Sequence, residues 1–403
     1  MIRPLDIPAF ADGPRIPGGG FLSVPGTRAG VAAADVKGNG GTRNDVAVLV
    51  APGVAGAVTT RSTAAAASCL WTRARVPGPV EAVVVNAGNA NAATGPQGVA
   101  DNAAMAAAAA DTLGCPADAV LVCSTGVIGV PLPMDRLLPG VRAAAAGLTA
   151  SDEMLARTIL TTDLMPKQAA ASRGGITVGG VAKGSGMIHP GMATMLCFLA
   201  TDAKVDSVAL QQLVGSIADR TFNQISVDGD MSTSDTFIVQ ATGRGQEAAP
   251  GSPAWADLEA ALLAVAGDLA MAIARDGEGA TCLITCTVDG GPDDAVARRA
   301  ARAVAGSSLV KAAVHGRDAN WGRVVGALGQ AGLPALDALD VDFAGTPVLR
   351  AGRPVPFDED AVSRALRAPD VSIACRVPGP GRGRAWGCDL SAEYVRINAD
   401  YRS

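Results

Sequence analysis

The stretch Lys183–Ala203, "KGSGMIHPGMATMLCFLATDA", decides how the rest of the chain is read. A glycine-rich turn (Lys183-Gly184-Ser185-Gly186) leads to Pro190-Gly191, and an apolar run with the character of a buried strand follows from Met195. Thr194 stands where irregular chain becomes strand. Most threonines beside a Gly/Pro turn simply start a strand. The sharper reading is that Thr194 is a nucleophile that must first be uncovered.

Working outward, 403 residues can bury a large core, and the length suggests two or three structural units. Aromatics are 3% and charged residues 18% of a chain rich in Ala and aliphatics, which describes a compact soluble α/β protein. The formal net charge of −5, with no basic cluster interleaved with aromatics, speaks against nucleic acid as a partner. Only five of the 33 basic residues are Lys, so each Lys is worth following. The first twenty residues lack the apolar run of a signal peptide, and no stretch has the length of a membrane helix, so the expected location is the cytoplasm. Eight Cys lie mostly in apolar segments and read as buried thiols.

A metal is not expected. His189 and His315 are the only histidines, and Cys282 and Cys286, which could share a strand face, have no partners at zinc-site spacing. The same shortage disfavours a Ser-His-Asp triad. A nucleophile that supplies its own base is what is left.

Strands are expected at 45–50 ("DVAVLV"), 81–88 ("EAVVVNAG") and 119–124 ("AVLVCS"), with a polar loop at 86–95 and an Ala-rich helix over about 98–113. "SDEMLARTILTTD" (151–163) reads as a capped helix, and the segment from Asp206 as an amphipathic one with Val208, Leu213 and Ile217 on its apolar side. A polar loop at 222–236 precedes the strand "TFIVQAT". Then comes a long helix with Trp255, Leu258, Leu262, Val265, Leu269 and Ile273 at helical spacing, stopped at "DGEGA". Alternating strands and helices complete the chain. The order is mixed α/β; a doubly wound parallel sheet is one topology it allows, although "AKGSGM" fits no nucleotide-binding loop.

Thr is a weak nucleophile until a base takes its proton. As the first residue of a chain, it would have its own α-amine beside the hydroxyl, with a pKa of about 7.7–8.0 near the useful range. That requires the Ala193–Thr194 bond to break, by attack of the hydroxyl on the preceding carbonyl, which a small Ala193 does not hinder.

"KGSGMIHPGMATML" resembles the self-cleaving segment of the glutamate N-acetyltransferase/ornithine acetyltransferase family of arginine biosynthesis. "NAGNANAATG", "CSTGVIG", "TTDLMPK", "FNQISVDGDMSTSDT", "DGEGA", "GRDANWGR" and "EYVRINADYRS" look like further signatures of that family, in family order from about residue 80 onward. The resemblance implies a mixed two-part α/β architecture of the type shared with N-terminal-nucleophile aminopeptidases. It also implies cleavage at Ala193–Thr194 into an α chain (1–193) and a β chain (194–403), which pair and assemble into a heterotetramer. Thr194 would take the acetyl group of N-acetylornithine and pass it to glutamate in a ping-pong cycle, with no cofactor; acetyl-CoA as a second acetyl donor is left open.

The resemblance further assigns Thr125 and Gly126 to the oxyanion hole that acyl transfer needs. Lys183 is carried over as an active-site cation, and Glu278 as a ligand for the positive end of ornithine. Thr162, with Thr161 as the neighbouring candidate, and Asn398 and Ser403 at the C-terminus are carried over as substrate contacts. "GRDANWGR" is assigned packing, with Trp321 buried. Two departures stand out: Gly191 replaces a larger polar residue, and Ala319 the usual Pro. Two other readings use the same residues. One is an N-terminal-nucleophile amidohydrolase, in which water attacks the acyl-Thr194; the other is a specialised-metabolism transferase acting on another N-acetyl amino acid. A non-catalytic metabolite-binding protein is the reading from another class.

Overall fold

The computed structural model describes residues 9–11, 13–189 and 195–400. In chain order the strands are β1 (Arg28–Ala32), β2 (Val46–Thr59), β3 (Gly78–Asn89), β4 (Val120–Val127), β5 (Lys167–Arg173), β6 (Ile176–Lys183), β7 (Leu196–Thr201), β8 (Ile225–Ser226), β9 (Thr236–Ala241), β10 (Leu283–Asp289), β11 (Asp340–Phe343), β12 (Thr346–Arg350), β13 (Arg353–Pro354), β14 (Asp370–Arg376) and β15 (Arg382–Cys388). The helices are α1 (Ala67–Arg73), α2 (Gly95–Leu113), α3 (Met134–Ala146), α4 (Asp152–Thr158), α5 (Ser207–Arg220), α6 (Pro253–Arg275), α7 (Asp294–Gly306), α8 (Ser308–His315), α9 (Trp321–Gln330), α10 (Glu359–Ala365) and α11 (Ala392–Asp400).

Two mixed sheets result. The first runs β4-β3-β2-β9-β7-β6-β5, with β1 added to β2; the second runs β13-β12-β11-β14-β10-β15-β8. Antiparallel pairs dominate both, so the doubly wound parallel alternative is not the topology found. In the first sheet, β9 pairs with β2 and β7 with β6, so strands from after residue 194 lie between strands from before it. The long apolar helix α6 lies between the sheets: its buried side chains share one core with Phe198's neighbours on β7 and β9 and with Leu283 and Trp386 of the second sheet. On the other face, α4 and the segment around Phe21 cover β2, β3 and β7. Helices α7 to α9 pack on the second sheet. No helix among the described residues is long and apolar enough to cross a membrane.

Most expected elements are present, and the differences have physical causes. The strand expected at 45–50 continues through Pro52-Gly53 to Thr59, because a register shift between Val50 and Gly53 accommodates the proline. The capped helix is shorter than expected: Ser151 Oγ accepts the Met154 N–H, but α4 ends at Thr158, leaving Thr161 and Thr162 in a loop. Val208 is exposed, since it falls in the first turn of α5, where Leu210 and Leu213 face the core instead. The stretches 86–95 and 222–236 are largely buried and include β8. Trp321 is half-buried on the rim of the second core, while Ala319 is buried in the loop before α9.

Candidate functional site

Strand β6 ends at Lys183, which pairs in register with Leu196, the first residue of β7. The connection between them therefore leaves and re-enters the sheet at one place, and its sequence contains the Ala193–Thr194 bond. Ala193, Thr194 and Ser403 lie outside the described residues, as does Gly191. The strand ends on either side of the connection are described, and they hold polar groups in place.

Strand β4 delivers Thr125 and Gly126. The parallel pairing of β3 with β4 breaks register at Gly88/Asn89, opposite Thr125 and Gly126, and a bulge of this kind re-aims the strand end. Gly126 has φ +135°, and a Cβ there would collide with the backbone of Gly88, so no larger residue fits. The "NAGNANAATG" segment braces this corner from below. Asn86 Nδ2 donates to Asn89 O at 2.8 Å, Asn89 Nδ2 to Val130 O at 3.0 Å, and Asn91 Nδ2 to Gly98 O at 2.9 Å. Thr125 is buried, and its Oγ1 has no hydrogen-bond partner among the described residues. A buried hydroxyl left idle beside a cavity is a donor awaiting an acceptor.

Lys183 is 2% exposed, not solvated on a glycine turn. Its ammonium donates to Thr161 Oγ1 at 2.7 Å and lies 3.8 Å from Asp163 Oδ2. Burial lowers its pKa, with the carboxylates of Asp163, Asp235 and Glu278 pulling the other way. Thr162 Oγ1 shares a 2.8 Å hydrogen bond with Ser185 Oγ, Ser185 O accepts the Glu278 N–H at 2.9 Å, and Asn398 Nδ2 donates to Glu278 Oε2 at 2.9 Å. Four separated motifs thus interlock. Helix α11 can approach the Glu278 loop because Gly279 (φ +71°) presents no Cβ to the Tyr394 backbone N.

These groups converge on one cavity of about 140 Å³, lined by Thr125, Gly126, Thr161, Thr162, Lys183 and Glu278, with Asn398 at its rim. The expected site residues that are described therefore do meet, with both Thr161 and Thr162 present. The "GRDANWGR" residues line a different cleft, with Phe357 and Glu359.

Several residues escaped the sequence reading. Ser232, Thr233 and Ser234 also line the cavity, and Thr233 Oγ1, like that of Thr125, has no partner among the described residues. Under the floor lies a buried ionic network. Lys167 Nζ lies 2.8 Å from Asp163 Oδ1 and 2.6 Å from Asp276 Oδ2, and Gly184 N donates to Asp163 Oδ1 at 2.6 Å. Burial alone would raise the Asp163 pKa, but the Lys167 and Lys183 ammoniums and the N–H donors hold it well below the ordinary carboxylate range. Asp276 goes up instead, because burial outweighs the single Lys167. Asp228 accepts the N–H groups of Met187 and Ile188, fixing the start of the connection. Asp235 Oδ1 accepts the Met195 N–H at 3.1 Å, fixing its end. The signal available in the sequence was the scarcity of Lys: three of the five, Lys167, Lys183 and Lys311, are buried. No cluster of metal-ligating side chains occurs among the described residues.

The arrangement can polarise a carbonyl with hydroxyl and backbone donors, hold a carboxylate with Lys183, and hold a cation with Glu278. Comparison with known proteins points the same way. The ArgJ family model matches residues 28–403. An arginine biosynthesis bifunctional protein ArgJ from Symbiobacterium thermophilum is 49% identical over 397 residues, covering 96% of this chain and 99% of the relative. Its counterpart from Parasynechococcus marenigrum is 48% identical, with 95% of each chain covered. A crystal structure of the Bacillus halodurans protein of the same name matches with a TM-score of 0.50 at 42% identity, covering 51% of this chain and 98% of that one.

Proposed function

The chain belongs to the ArgJ family, and from that premise we propose that it carries acetyl groups from N-acetylornithine to glutamate through an acetyl-Thr194 intermediate. It is an acetyltransferase of arginine biosynthesis. The observation that carries the assignment to this cavity is that Thr125, whose buried hydroxyl is idle, lines the same small space as Lys183 and Glu278.

Self-cleavage at Ala193–Thr194 supplies the free α-amine that makes Thr194 its own base. The Bacillus halodurans match supports a two-chain product: 98% of that solved chain aligns on 51% of this one, so the solved chain is about half as long. Once cut, Thr194 Oγ attacks the acetyl carbonyl, and Thr125 and Gly126 stabilise the oxyanion as it forms. The Glu278 carboxylate balances the side-chain ammonium of ornithine, and the Lys183 ammonium balances the α-carboxylate that both substrates carry. After ornithine leaves, the amine of glutamate attacks the acetyl ester. Asn398 orients Glu278, and Ser403 is taken as a substrate contact on the family resemblance alone. The α and β chains pair and assemble as a heterotetramer in the cytoplasm. Acetyl-CoA as a second donor rests on the family resemblance alone.

The test is to incubate purified protein with N-acetylornithine, with and without glutamate, and to follow products by mass spectrometry. Ornithine release that depends on glutamate and is matched by N-acetylglutamate is the expected result, absent in Thr194→Ala. Release without glutamate would replace this reading with a hydrolase. Acetyl-CoA and other N-acetyl amino acids in the same panel test the donor range.

A further inference from the structure

An N-terminal threonine can use its own amine as a base for acetyl transfer, but not for the cut that creates that amine. Until the Ala193–Thr194 bond breaks, the nitrogen belongs to an amide, which accepts no proton at neutral pH. The first cut needs an acceptor from elsewhere in the fold.

Asp235 is placed for it. Strands β7 and β9 are parallel neighbours with Leu196 opposite Thr236, so the residues just before each strand, Met195 and Asp235, lie side by side. Asp235 Oδ1 accepts the Met195 N–H at 3.1 Å, and Met195 O accepts the Thr236 N–H at 3.1 Å. The N–H gripped by Asp235 belongs to the peptide bond that joins Thr194 to Met195, so the carboxylate is one peptide unit from Thr194. Asp235 is fully buried, and its own carbonyl is held by Thr60 N and Cys69 Sγ. Its second oxygen, Oδ2, has no partner at ordinary hydrogen-bond geometry among the described residues, with the hydroxyls of Ser232 and Thr60 close to the carboxyl.

An unpaired oxygen on a fully buried carboxyl is costly, and folds keep such groups where they are used. Nearby titratable groups have hydrogen-bond partners of their own, Glu278 Oε2 through Asn398 Nδ2. Lys183 gives its ammonium to Thr161 and, while charged, accepts nothing; His189 Nδ1 is engaged with Ser226 Oγ at 3.1 Å. Burial raises the Asp235 pKa well above the ordinary carboxylate value, while the Met195 N–H and the Lys183 ammonium oppose the rise and favour the carboxylate that can accept a proton.

We propose that Asp235 is the proton acceptor of the self-cleaving step, a role that rests on the reading that the chain cuts itself at Ala193–Thr194. Oδ2 takes the Thr194 hydroxyl proton as Oγ attacks the Ala193 carbonyl carbon. The Ala193–Thr194 C–N bond then breaks, and the same proton passes to the departing nitrogen. This leaves an ester between Ala193 and Thr194 Oγ. One water hydrolyses it, giving the Ala193 carboxylate and a free Thr194 hydroxyl and amine.

The test follows cleavage of freshly translated protein on denaturing gels. Asp235→Asn keeps an oxygen for the Met195 N–H but removes the base, and should slow cutting by about 100-fold or more. A cysteine thiol, with a pKa of about 8.5, needs a base far less than a hydroxyl. Adding Thr194→Cys to Asp235→Asn should therefore restore cutting, a rescue that would not occur if Asp235 only shaped the loop. Asp235→Asn cut at the wild-type rate, or a double variant no faster than Asp235→Asn while Thr194→Cys alone is cut, would overturn the proposal. Wild-type protein that is never cut would sink the reading beneath it instead.

Discussion

The Lys167 ammonium lies 2.6 Å from the Asp276 carboxylate, a residue 109 positions away, with both side chains withdrawn from solvent. This contact ties the loop bearing Thr161 and Thr162 to the loop bearing Glu278. The same ammonium reaches Asp163, whose carboxylate in turn faces Lys183. The floor of the site is therefore two cations and two anions, and the geometry above it depends on their balance.

Lys167→Met should destabilise the protein by about 3–5 kcal/mol, because it strands two buried carboxylates instead of removing a whole pair. Urea unfolding of the purified variant measures this. A loss under about 1 kcal/mol would mean that water reaches Asp276 and Asp163 and that the network is not a structural clamp.

Acid should act on the two carboxylates with opposite signs. Asp163 is held below its unfolded value of about 3.9, so its stabilisation is complete above about pH 4 and is lost as pH falls through its folded value. Asp276 is raised, so its protonation on acidification relieves a cost. Unfolding of Asp163→Asn against wild type should show a stability gap that is constant from pH 5 to 8 and narrows in more acid solution. The gap for Asp276→Asn should change earlier, as pH falls through a higher range, and in the other direction. Parallel behaviour of the two variants would refute this assignment of charges.

These groups also mark where sequence reading stops. Thr125, Lys183 and Glu278 are singled out by the family resemblance of the short motifs in which they sit. Asp163 and Lys167 lie in "TTDLMPK" and Asp276 in "DGEGA", yet a charged loop residue reads as solvated until its partner is known, and Asp276 meets Lys167 across 109 positions of chain. Asp235 escaped for a similar reason: it meets Met195 only through the pairing of β7 with β9. Helix α6 was legible because six apolar residues, Trp255 to Ile273, recur at its own period, all but Trp255 fully buried, whereas β2 ran past Pro52 through a bulge that no periodicity reveals. Val208 had the right spacing and the wrong end of the helix.

Thr125→Val separates catalysis from stability. The hydroxyl has no partner in the described fold, so replacing it by a methyl leaves no buried group newly unsatisfied. Stability should hold within about 1 kcal/mol, while kcat for acetyl transfer should fall by about 100- to 1,000-fold, the usual cost of an oxyanion donor. Thr125→Ser should recover most of the rate. Steady-state kinetics beside thermal melting tests both halves, and an unchanged kcat in the valine variant would remove Thr125 from the oxyanion hole.

The last expectation concerns what cleavage does to the molecule. After a cut at Ala193–Thr194, β7 and β9 would belong to one chain, while β2 on one side and β6 on the other would belong to the second. The β2–β9 register spans Val54–Thr59 against Thr236–Ala241, and the β6–β7 register spans Val178–Lys183 against Leu196–Thr201. Two full strand pairings therefore cross the cut. The Lys167–Asp276 pair and the α6 packing against β5 and β6 cross it as well. Pulling the chains apart would expose the centre of a buried sheet, so the cut protein should behave as one folding unit. Native mass spectrometry should give a mass consistent with intact precursor plus one water per cut, and denaturing electrophoresis should give two fragments. Neither dilution nor high salt should separate them, because the contacts that cross the cut are mainly buried strand pairings and apolar packing. Release of a folded half on dilution would mean that the shared sheet does not hold the halves together.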